Sequence, residues 1–209
     1  MTVIQSTPRL LLLKNKNRHL YDLIRYLSKQ RFTDISAQPV TDVRDHAQPD
    51  DFVYGSHQTV IQIASRDLRI TFKSHFKLGN TKVLTERARK NNKNTGQSVE
   101  KNARQLQKST YDLFMEYSNL VAGGISQHLH ANGIVAGISL PMATSGFDEL
   151  ISSDELRETS YFDYWIIAGE EYQFTCTVCV DLLTEDWLKT FRFVEPTGLG
   201  SSDEGIEML

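Results

Sequence analysis

The sequence predicts an α+β fold in which a largely antiparallel sheet packs against two long central helices. Three observations carry this expectation. Two segments alternate apolar and polar residues around short polar turns, the pattern of β-hairpins. Between them lie two consecutive stretches with helical periodicity. A third helical stretch precedes the first hairpin. Hairpins separated by helices bury their apolar faces best as a sheet with helices on one side.

The elements follow in order. Ser6-Thr7-Pro8 opens a helix over about residues 8–30, with Leu13, Leu20, Leu23, Ile24 and Leu27 as its apolar stripe. FTDISAQPV (32–40) reads as a strand, placed at an edge by Pro39, and VRDHAQPDD (43–51) as polar loop. TVIQIAS and LRITFKSHF form the clearest hairpin around Arg66-Asp67. KLGNTKVLTERARK (77–90) reads as a short helix, broken by NNKNTGQ (91–97). A long helix then runs from about Ser98, a suitable N-cap, to Asn132-Gly133, a suitable stop. VAGISLP (135–141) is a strand ending at a proline, and YFDYWIIAG and YQFTCTVCVDL (161–169 and 172–182) form the second hairpin. Residues 194–209 are acidic and Gly-rich and read as a disordered tail, leaving a single domain over 1–193. The halves are loosely alike, short of a repeat.

Bulk properties exclude several function classes. A chain of 209 residues that is 40% hydrophobic buries a core without needing disulfides or metal. Net charge of -3 argues against a dedicated nucleic-acid binder, which needs a basic excess to meet phosphates. The leucines of PRLLLLKNKNRH are cut short by Lys14 and Lys16, and no apolar run approaches the length of a membrane span. A cytoplasmic protein is the expectation. Cys176 and Cys179 form a CxxC, but on a strand that spacing puts the thiols on opposite faces. With no second ligand pair and no helix N-terminus behind them, they read as ordinary half-buried thiols. His128 and His130, two apart on a helix, diverge.

The long helix holds the informative pattern. At about 100° per residue from Glu116, Leu106, Thr110, Leu113, Phe114, Tyr117, Val121, Gly124 and Ile125 fall at about 60–180°, with Leu120 near 40°. That is the core face. Ser109, Asp112, Glu116, Asn119 and Gly123 gather near zero as a polar stripe about 20 Å long. Two adjacent glycines each cost about 1 kcal/mol against alanine in a helix interior, so the pair needs a reason. Gly124 lies on the core face, where it allows close helix packing. Gly123 lies on the stripe, where a missing side chain lets another molecule approach. The Glu-x-x-Asn pair alone arises about once by chance in a chain this long, and its plain reading is a solvated helix face.

The wider pattern is more specific. Asp112-x3-Glu116-x2-Asn119, then Gly123, then Pro141, resembles the CheC/CheX/FliY family of chemotaxis phosphatases. There, an acidic or serine residue, a glutamate and an asparagine line one exposed helix, with a proline about twenty-two residues on. Here 21 residues separate Asn119 from Pro141. The element order matches over roughly 8–193. Some members carry the motif on both central helices. In this chain the first offers Glu86-Arg87-Ala88-Arg89, with arginine in the asparagine position, which makes it most similar to the single-site CheX branch. The polar, basic NNKNTGQ connection, the long N-terminal segment and the acidic tail depart from the pattern.

The resemblance implies a phosphatase acting on the aspartyl phosphate of a CheY-like response regulator. It assigns Asn119 to orienting the attacking water, Glu116 to pairing with a regulator lysine, and Asp112, Gly123 and Ser109 to partner contact. It implies no cofactor of the chain's own, the Mg2+ being the regulator's, and admits a homodimer. Two alternatives stand beside it: a catalytically idle module of the same fold docking a regulator or flagellar switch component, and an unrelated α+β domain carrying the pair by accident.

Overall fold

The structure is a computed structural model and describes residues 11–36, 38–45, 56–81, 84, 99–145 and 159–196. In chain order these form β1 (Leu11–Leu12), α1 (Leu13–Lys16), α2 (Arg18–Ser36), β2 (Asp42–Asp45), β3 (His57–Ala64), β4 (Leu68–Phe76), a 3₁₀ turn (Leu78–Thr81), α3 (Val99–Ala131), β5 (Gly137–Ile138), β6 (Met142–Ser145), β7 (Ser160–Ala168), β8 (Gln173–Leu182) and a second 3₁₀ turn (Asp186–Lys189).

All eight described strands join one sheet, along the path β1-β7-β8-β4-β3-β5. β2 joins the outer side of β7 and β6 the outer side of β3, so each edge is shared by two short strands. Every pairing is antiparallel except β1 with β7. Ser65 sets the β3–β4 turn: its hydroxyl accepts from the amides of Asp67 and Leu68 at 3.0 and 3.1 Å.

Both long helices pack on one face of the sheet and against each other. Thr59, Ser74, Cys176 and Trp165 are register partners across β3, β4, β8 and β7, so their side chains share that face. The helices reach down to this row: Ser118 of α3 bonds Thr59, Tyr117 of α3 bonds Cys176, and the Trp165 indole donates to Ser28 of α2. An aromatic cluster fills the space between, with Phe32 against Phe114, Tyr117, Tyr172 and Phe174, and Phe76 stacked on Phe114 at 3.9 Å.

Several expectations are corrected. Residues 32–36 continue α2 and do not form a strand, because Phe32 is fully buried on the helical stripe and its packing outweighs local β propensity. The strand falls later, at Asp42–Asp45, and runs into the expected polar loop. Its polar sequence is tolerated because it lies on an edge, with Arg44 and Asp45 exposed. The N-terminal helix is interrupted at Asn17, whose backbone is extended and whose side-chain oxygen caps α2 by accepting from the Leu20 amide at 2.8 Å. The long helix beside α3 is α2. Of the helix expected over 77–90, residues 78–81 form a 3₁₀ turn, and the rest lies almost wholly outside the described residues. Ser98, Glu86–Arg89, NNKNTGQ, residues 1–10 and the tail beyond Pro196 also lie outside them.

The expected strand over 135–141 is interrupted. Ile138 pairs with Ile63, whereas Met142 pairs with Val60, leaving three residues on the edge against two on β3. One residue is in excess: the edge carries a β-bulge at Leu140-Pro141, where proline has no ladder donor to lose.

Candidate functional site

Helix α3 owes its position to its core face. Thr110, Phe114, Tyr117, Val121, Gly124 and Ile125 are buried, as the periodicity predicts, together with Ser118, Ala122 and Leu129. Leu113 and Leu120 are half-buried. The helix stops where expected. Gly133 adopts φ 82°, its amide bonds His130 O and the Ile134 amide bonds Leu129 O, both at 2.9 Å, forming a Schellman motif closed by buried Ile134 on Leu129.

The opposite face carries the stripe. Asp112, Glu116 and Asn119 are exposed, and Ser109 and Gly123 half-exposed. The structure therefore brings all five onto one solvent-facing ridge. Among the described residues, the side chains of Asp112, Glu116 and Asn119 make no hydrogen bond or ion pair. A Cβ added at Gly123 meets nothing within 4 Å, whereas one at Gly124 meets Leu27 of α2 at 3.0 and 3.1 Å. Gly124 thus packs closely on α2, as its phase suggests, while Gly123 faces open space.

Beneath the stripe the helix is bonded to the sheet by hydroxyls. Thr59 Oγ1 lies 2.5 Å from Ser74 Oγ and 2.8 Å from Ser118 Oγ, all three buried, while Ser118 donates to Phe114 O at 2.9 Å. Further along, Tyr111 Oη meets His57 Nδ1 at 2.5 Å, and Ser126 donates to Ala136 O. Burial holds the His57 imidazole below its usual range. Sequence reasoning missed the hydroxyl cluster; its one signal was a serine at position 118 on the margin of a mostly apolar arc.

The other candidates stand apart from the ridge. Cys176 is buried in the helix-facing row and Cys179 is half-buried on the other face. Burial pushes both thiols up, Cys179 to about 12, so neither is poised as a thiolate. His128 bonds Gly124 O, and His130 is exposed and points elsewhere. Among the described residues no cluster of His, Cys, Asp or Glu has metal-site geometry, and no helix is long and apolar enough to cross a membrane.

What the ridge offers is an exposed carboxamide and an exposed carboxylate one helical turn apart on a rigid element, with open space at Gly123 beside them. An amide oxygen accepts from a water while its nitrogen donates elsewhere, and a carboxylate receives a cation.

No family model and no curated protein matches the sequence. Solved structures do match. CheX from Vibrio vulnificus aligns with a TM-score of 0.53 at 13% identity, over 77% of this chain and 98% of that one. A CheC-like protein from Shewanella sp. PV-4 gives 0.54 at 12% over 78% and 98%. The CheX–CheY–BeF3–Mg2+ complex from Borrelia burgdorferi gives 0.54 at 13% over 77% and 96%. The chain has the CheX/CheC-like fold, and the matched part spans nearly the whole of each of those chains.

Proposed function

We propose that this protein hydrolyses the aspartyl phosphate of a CheY-like receiver domain, in the cytoplasm, with Asn119 and Glu116 as the catalytic pair. The observation that supports it most is the exposure of Glu116 and Asn119 one turn apart on the ridge, with nothing built over Gly123. The similar fold of a CheX captured with CheY and a phosphoryl-mimicking fluoride adds support.

An acyl phosphate is already activated, so positioning does most of the work. Asn119 inserts beside the receiver's phosphoryl group. Its side-chain oxygen accepts a hydrogen bond from a water and holds that water in line with the phosphorus. The water oxygen forms the new P–O bond as the bond to the aspartyl oxygen breaks. The carboxylate leaves with the electron pair, and the water's proton ends on the phosphate. Glu116 pairs with a lysine of the receiver, fixing register and drawing that cation from the phosphoryl oxygens. Asp112 and Ser109 add contacts along the ridge. Mg2+ belongs to the receiver, and no cofactor of the chain's own enters.

The test is decay of a phosphorylated receiver with and without the protein. Asn119→Ala is expected to lower kcat about a hundredfold. Glu116→Ala should lower kcat/KM about tenfold or more, the cost of losing a charge-assisted pair. Binding without acceleration by the wild-type chain would leave the idle docking module as the answer.

A further inference from the structure

The edge bulge lies beside the ridge. Contacts along α3 track β3 and its edge partner. Tyr111 meets His57, whose ladder partner is Ser145. Ser118 meets Thr59, whose partner is Ala143. Ser126 meets Ala136, just before the Gly137–Ala64 pair. The bulge, opposite Ile61 and Gln62, therefore lies level with the roughly two turns of α3 between Ser118 and Ser126, which carry Asn119 and Gly123. Asn119 also leans that way: seven residues from Ser126, it projects within about 20° of the side chain that bonds the edge segment.

At that level Leu140 is 85% exposed. Single exposed leucines are ordinary, but this one is braced. The Ser139 amide donates to Gln62 O at 2.8 Å. The Ser139 hydroxyl accepts from the Gln62 amide at 3.0 Å and donates to Leu140 O at 3.1 Å. Pro141 then fixes the next φ. The extra residue holds an apolar side chain out from the edge in a set position.

The ridge itself offers only polar contacts, and exposed polar pairs contribute little affinity. Stable docking rests on a few apolar anchors inside a polar rim. We propose that Leu140 is the apolar docking anchor for the phosphorylated receiver domain, setting its affinity and selectivity while Asn119 and Glu116 act on the phosphoryl group. This rests on the phosphatase reading: a partner that brings an acyl phosphate to Asn119 covers Leu140. Its binding surface accordingly carries an apolar patch beside the acidic phosphorylation pocket.

The test uses the full chain and each CheY-like receiver of the parent organism, activated with beryllofluoride for binding and acetyl phosphate for turnover. Leu140→Ser, which spares the core, is expected to weaken binding about tenfold or more and to raise KM in parallel, with kcat and unfolding midpoint unchanged. Leu140→Met should restore most of the affinity. Asn119→Ala gives the opposite split, with kcat falling. An active wild-type chain whose Leu140→Ser variant keeps its Kd and KM overturns the anchor and leaves the phosphatase reading standing. A wild-type chain that neither binds nor dephosphorylates any receiver overturns both. A concentration-dependent dimer lost in Leu140→Ser, with KM unchanged, gives the edge to a second copy and overturns the proposal.

Discussion

Gly123 and Gly124 are neighbours in the chain and face opposite surroundings. A helical glycine gives up backbone entropy that an alanine would not, about 0.5–1 kcal/mol. At Gly124 close packing offsets this, since the backbone of α3 rides against Leu27. At Gly123 no packing offsets it. Gly123→Ala should therefore stabilise the fold by about 0.5–1 kcal/mol in urea unfolding, whereas Gly124→Leu should cost about 1–3 kcal/mol through overpacking. Gly123→Leu should keep its stability and lose receiver affinity, and unchanged affinity would remove the ridge from the interface. The exposed ridge was legible at this scale because exposure on a helix follows from phase: Asp112, Glu116 and Asn119 lie where 100° steps put them. Leu140 was not legible. Its prominence comes from a ladder register between distant strands, which no local pattern encodes.

At the scale of the element, the ridge is presented by one row of side chains beneath it. Thr59 is the hub of that row, bonding Ser74 within the sheet and Ser118 on the helix. A purely apolar seam tolerates small slides and rotations, while buried hydroxyls demand one pairing. Ser118 precedes Asn119, so the azimuth fixed at the seam fixes the direction of the carboxamide. Ser118→Ala removes its bonds to Thr59 Oγ1 and Phe114 O and should cost about 1–2 kcal/mol. Thr59→Val strips the hub and leaves a buried Ser74 hydroxyl short of a partner, for about 1–3 kcal/mol. A double-mutant cycle between Thr59 and Ser118 in urea should give a coupling energy of about 0.5–3 kcal/mol, and additive losses would show the cluster does not act as a unit.

For the whole molecule, what sequence revealed and what it hid divide along one line. The two hairpins and the long helix were legible because each encodes its own periodicity. The pairing of α2 with α3 was not, because what holds Phe32 in the helix is contact with Phe114, Tyr117, Tyr172 and Phe174, all far off in sequence. The sheet's face away from the helices hides a further global property. His75 is 1% exposed there and bonds Thr177 at 3.1 Å. Burial first, and the nearby Lys73 charge second, push its imidazole down to about 3. His57 is lowered too, by burial. A histidine depressed in the folded state stays neutral there while the unfolded chain takes up a proton near pH 6.5, so stability falls as pH drops through that value and continues to fall toward 3. Asp163 works in the other sense, since burial raises its carboxyl and favours the folded state below its raised value. Between pH 7 and pH 5 His75 alone should remove about 2 kcal/mol of unfolding free energy. Urea titrations at the two values should show that loss in the wild-type chain and a smaller one in His75→Gln. Equal slopes would mean His75 is protonated in the fold, with a counter-charge close enough to keep it so.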